Sequence, residues 1–152
     1  MSRRRLAAFV VFVALTPAAL ADPAAEEAAI RQRFLDWTEA FNARDADGAC
    51  DLFAPDLAYA LPEVAQGTRA TICGNFARLF ARPGLTLRYD PPLIHEILIE
   101  GDLAVVRLRW TLTTEADGLR ETGVEEGMDV LRRQSDGRWA IARFVAFTPE
   151  AE

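Results

Sequence analysis

The sequence predicts an α+β domain in which three N-terminal helices pack on one face of a curved antiparallel sheet. Apolar residues recur every three or four positions up to about residue 80. From Leu85 onward they recur every second position, between turn signals at Glu100-Gly101-Asp102, Ala116-Asp117-Gly118 and Ser135-Asp136-Gly137. The 152 residues, 51% hydrophobic and 26% charged, bury one ordinary core and leave no room for two.

The first residues stand apart from that domain. Arg3, Arg4 and Arg5 form a positive n-region, Leu6 to Leu15 an apolar h-region, and Ala19-Leu20-Ala21 an A-x-A cleavage site. This order predicts a signal peptide over residues 1–21, cut after Ala21, and a single domain over residues 22–152. The protein is then periplasmic or secreted, and nothing is left to hold it in a membrane, since the h-region is too short to span a bilayer. The competing reading is a buried helix that begins the domain.

Ala25 to Asn42 carries Ile30, Phe34, Trp37 and Phe41 on one face of a first, amphipathic helix. Asp45 is placed to cap a second, shorter helix through Phe53, with Ala49, Cys50 and Phe53 inside. A short strand follows over Asp56 to Leu61. Thr68 caps a third helix to about Phe80, with Ile72, Cys73, Phe76 and Phe80 inward, and Arg82-Pro83-Gly84 stops it.

In the strand half, one face must be apolar, and this fixes the register of the first hairpin. A two-residue Gly101-Asp102 turn sets Ile99 opposite Ala104, Ile97 opposite Val106, His95 opposite Leu108 and Leu93 opposite Trp110. The only histidine then faces the helices. The second hairpin admits two registers. A two-residue Asp117-Gly118 turn sends Gly127 and Asp129 toward the helices, whereas a three-residue loop sends Glu126, Met128 and Val130 there. Alternation alone favours the three-residue loop, whose inward row is the more apolar.

Composition excludes several functions. Without residues 1–21 the chain has fourteen arginines against twenty-three acids, and its formal charge moves from −6 to −9. Such a chain repels phosphate backbones, so nucleic acid is not its partner. It has no lysine, which removes Schiff-base chemistry, and one histidine and two separated cysteines make no metal site. No G-x-G-x-x-G, P-loop or G-x-S-x-G occurs, so no cofactor is expected.

The first helix, "RDADGACDLFAPD" (Arg44–Asp56), "GTRATICGNF" (Gly67–Phe76), the four strands and "DVLRRQSDGRW" (Asp129–Trp139) together resemble the NTF2-like superfamily. More narrowly they resemble the SnoaL-like or DUF4440 group, with ketosteroid isomerase as a distant relative. The resemblance covers roughly Ala25 to Phe147. It implies a cone of helices and sheet around a pocket, with Trp37, Phe41, Phe53, Tyr59, Leu61, His95, Trp110, Asp129 and Phe144 near it. Each of these also has a plain reading as core. The fold also places the second and third helices side by side, and in an oxidising compartment this pairs Cys50 with Cys73 in a disulfide. The other possibility is two buried thiols that never meet.

A ketosteroid isomerase needs a carboxylate base and an oxyanion hole made by a tyrosine and a protonated aspartic acid. The resemblance puts Leu61 at the base position and Trp37 at the tyrosine. Only the aspartic acid has a match, Asp129, and that match favours the two-residue turn and a buried Asp129. Asp129 and His95 are the candidate catalytic residues, and Glu63, past Pro62, is a second candidate base. The expected function is therefore an exported small-molecule-binding domain whose pocket takes an apolar or aromatic ligand. One alternative is an acid/base enzyme of the isomerase, cyclase or dehydratase type. The other is a dimeric interaction module, with Trp139, Ile141, Val145 and Phe147 as an outer apolar row and a homodimer as the assembly.

Overall fold

A computed structural model of the chain describes residues 22–62 and 64–149, with Val64 and Ala65 described by their backbone alone. The expected signal peptide, residues 1–21, and Glu63 lie outside the described residues. The elements in order are α1 (Pro23–Asn42), α2 (Ala46–Cys50), β1 (Phe53–Leu61), β2 (Val64–Thr68), α3 (Arg69–Phe80), β3 (Leu85–Tyr89), β4 (Leu93–Glu100), β5 (Leu103–Ala116), β6 (Leu119–Arg133) and β7 (Trp139–Phe147).

Each helix starts where its sequence supplies a cap. The Asp22 carboxylate accepts from the Ala24 N–H with Pro23 in the first turn, Asp45 accepts from Gly48, and Thr68 accepts from Thr71. The buried face of α1 is Ile30, Phe34, Trp37, Thr38 and Phe41. The α2 helix is shorter than the sequence predicts. It ends at Cys50, and Phe53 already belongs to β1, because Leu52 C=O accepts from Ile141 N–H and draws the chain into the sheet. A disulfide joins Cys50 to Cys73, tying α2 to α3.

The seven strands form one sheet in the order β2-β1-β7-β6-β5-β3, with β4 also paired to β5. Strands β3 and β4 lie end to end along one edge of the long β5, with Asp90-Pro91-Pro92 between them. Every pairing is antiparallel except β1 with β7, which is parallel, so the sheet is mixed. The hairpin β1–β2 is absent from the sequence reading. Its tight point is Gly67, opposite Tyr59: a Cβ there would enter the Tyr59 ring, which lies across the glycine.

The second hairpin takes the two-residue turn. Asp117 and Gly118 both have positive φ, 54° and 77°, as a type I′ turn requires, and Val106 pairs with Asp129. Turn chemistry therefore outweighs the more apolar row. Two β-bulges overturn other expectations by shifting the inward/outward parity. At His95 the register slips so that Ile94, not His95, faces Leu108, and Leu93 faces Arg109 rather than Trp110. At Ala142 it slips again. Trp139 and Ile141 are buried against the helices, and beyond the bulge Phe144 and Ala146 face inward while Val145 and Phe147 face out.

The N-terminal half of α1 is tied down by one cluster. The Trp139 indole N–H donates to Glu26 Oε2 at 2.9 Å, Arg133 pairs with the same carboxylate at 2.8 Å, and the Arg133 guanidinium lies 4.4 Å over the Trp139 ring. The bond to Arg133, with help from Trp139, holds the Glu26 carboxyl below the ordinary range.

Candidate ligand cavity

Between α1, α3 and the inner face of the sheet lies a cavity of about 230 Å³. Trp37 comes from α1, Ile72, Asn75, Phe76 and Leu79 from α3, and Phe53, Tyr59 and Leu61 from β1. Tyr89, Trp110, Glu125, Gly127, Asp129, Ile141, Phe144 and Ala146 complete the sheet side, and Leu52 closes the wall. The rings support one another. Tyr59 and Phe144 stack in parallel at 4.6 Å, and Trp37, Tyr89 and Trp110 stand 4.8 to 5.4 Å apart.

Of the pocket residues expected from sequence, Trp37, Phe53, Tyr59, Leu61, Trp110, Asp129 and Phe144 line this cavity. Phe41 does not. It is buried behind the wall, between Trp37, Phe76, Phe80 and Tyr89. His95 is not there either. The bulge turns it to the outer face, where its Nε2 lies 3.3 Å from Glu126, itself bonded to Arg109 at 2.6 Å. A histidine so placed cannot take a proton from a ligand in the cavity.

The polar groups inside are few and unusual. Asp129 is 6% exposed, and burial pushes its carboxyl up to about 8, so that it is protonated at neutral pH and can donate a hydrogen bond. The Trp37 indole N–H is buried with no acceptor among the described residues. Leu61 occupies the position that the isomerase resemblance assigns to the base, and it cannot exchange a proton.

Two titratable lining residues escaped the sequence reading. Glu125, half-buried, sits four residues before Asp129 on the same face of β6, and burial raises its carboxyl too. Tyr89 ends β3 in the inward series Leu85, Leu87, Tyr89, and burial together with the nearby Glu125 charge pushes its hydroxyl up. Both were legible: the two-residue turn puts Glu125 on the face of Asp129, and alternation puts Tyr89 with Leu87. Among the described residues no three His, Cys, Asp or Glu side chains gather as metal ligands.

A mixed sheet curved around a cavity of aromatic rings, with a neutral aspartic acid inside and helices closing the other side, defines a pocket protein of the NTF2-like class. Within it, residues 32–142 match the SnoaL-like domain family, and the chain belongs to that family. The fold is similar to that of a conserved protein from Planctomyces limnophilus (20% identity, TM-score 0.73, covering 83% of this chain and 98% of that one). It is also similar to a ketosteroid isomerase-like protein from Erwinia carotovora atroseptica (20%, 0.65, 83% and 98%). An NTF2-like protein with a cystatin-like fold from Novosphingobium aromaticivorans is a third (20%, 0.67, 85% and 85%). Likeness at this identity concerns the fold. No functionally curated protein matches the sequence.

Proposed function

We propose that the protein is an exported domain, residues 22–152, that binds a small apolar or aromatic molecule without turning it over. One observation carries the reading: the cavity holds seven aromatic rings and a protonated Asp129, while Leu61 stands where a proton-abstracting carboxylate would be needed. At about 230 Å³ it falls below the roughly 300–1,000 Å³ of drug-sized sites, so it suits a ligand of one or two fused rings. Export is supported by the n-region, h-region and A-x-A order of residues 3–21 and by the Cys50–Cys73 disulfide. Among the described residues no helix is long and apolar enough to cross a membrane.

Native mass spectrometry of protein purified from its own host is expected to reveal a bound small molecule lost in Leu61→Arg. An isomerisation assay with a β,γ-unsaturated ketone of one or two fused rings, a size the cavity admits, complements it. Wild type is expected to be inactive and Leu61→Asp to gain turnover, since a positioned base contributes ~10²- to 10⁴-fold. Wild-type turnover would overturn the binding reading. A second reading, an acid/base enzyme of the isomerase, cyclase or dehydratase type, is favoured by Glu125, an inward carboxyl on the strand face of Asp129. Under that reading, Glu125→Gln abolishes turnover of the native substrate.

A further inference from the structure

The cavity has a charge character that its apolar lining conceals. Among the described residues two carboxyl groups, Glu125 and Asp129, face into it and no arginine lines it, in a chain of seventeen arginines. The contrast with the next residue along the strand is direct. Glu126 points outward and is matched by Arg109 and His95, whereas Glu125 points inward, burial raises its carboxyl, and no cation among the described residues pairs with it. A half-buried carboxyl left without a cation costs stability, and a ligand can return that cost on binding.

The surroundings of Glu125 fit one kind of ligand charge. Glu125 is the cross-strand partner of Trp110, and it lies close enough to Tyr89 for its charge to act on the phenol. Trp110 and Tyr89 stand against Trp37. Aromatic faces carry negative quadrupoles, so this corner presents a carboxylate and three electron-rich rings to the same space. It repels anions and attracts organic cations.

Building on the proposal that this cavity binds a small ligand, we infer that it selects an organic cation, a protonated aromatic or alicyclic amine. The ammonium pairs with Glu125 against the Trp37, Tyr89 and Trp110 rings, and the apolar body lies toward Phe144 and Leu61. Asp129, four residues further along β6, lines the other end of the cavity.

Two matched series test this by titration calorimetry at neutral pH: benzylammonium, benzyl alcohol and phenylacetate, and 1-naphthylmethylammonium, 1-naphthalenemethanol and 1-naphthylacetate. The amine is expected to bind at least about tenfold tighter than the alcohol, and the carboxylate weakest. Glu125→Gln is expected to bring the amine down to the alcohol while leaving alcohol affinity within about twofold. Glu126→Gln, a charge loss on the outer face, should leave the preference intact. Measurement in 0.5 M salt separates a local pairing, which persists, from attraction to an acidic protein at large, which is screened. Equal affinity for amine and alcohol, or a preference that survives Glu125→Gln, overturns the cation assignment and leaves the binding function standing. Failure of all six probes to bind overturns both.

Discussion

Asp129 is the residue on which the site chemistry turns, and its burial has a cost that pH exposes. In the unfolded chain an aspartate titrates near 3.9, and in the fold Asp129 is pushed up to about 8. Between those values the folded state keeps a proton that the unfolded state has released, so stability from this group falls as pH rises and levels off above about 8. Glu26, Asp51, Asp56, Glu126 and Asp136 are held below the ordinary range by arginine partners. Their stabilisation is complete above about pH 5 and fades only in acid. The expected result is a melting temperature that declines from pH 6 to pH 8 in wild type and stays nearly flat in Asp129→Asn. A parallel decline in both proteins would remove Asp129 as its cause.

Among the elements, the two small helices depend most on covalent help. The α2 helix has a single turn, and the Cys50–Cys73 bridge, spanning 23 residues, fastens it to α3. In the chain-entropy description a loop of that length stabilises the fold by about 3 kcal/mol, and the Cys50→Ser, Cys73→Ser double variant is expected to lose that much in urea unfolding. This pairing was readable because the resemblance sets the second and third helices side by side, with Cys50 and Cys73 on their inner stripes. The strands were less so. Alternation counts residues two by two, and a bulge breaks the count without a sequence mark. One extra residue at His95 put the histidine outside, and one at Ala142 brought Trp139 and Ile141 in. The β6 register had a mark, the Asp117-Gly118 turn, but it competed with a more apolar row. The resemblance favours that turn and buries Asp129, and the same register puts Glu125 in the cavity.

At the scale of the whole molecule, the outer face of the sheet bears Leu98, Met128, Val145 and Phe147, all exposed, between the ion pairs Glu96–Arg107 and Glu126–Arg109. An apolar patch with both charge signs beside it is self-complementary, and the expected assembly is a homodimer through this face. Sedimentation at high micromolar concentration should give twice the chain mass, and Val145→Glu combined with Phe147→Glu should halve it. A wild-type monomer would refute the assembly. The parallel pairing of β1 with β7 carries a different consequence, for biosynthesis. The first strand of the sheet is seated beside the last, with Tyr59 opposite Phe144, so no growing N-terminal fragment can complete the fold. A chain ending at Arg138 is expected to melt without a cooperative transition. Under the proposed export, a chain still lacking this final nine-residue strand is expected to remain open enough to thread a translocation channel.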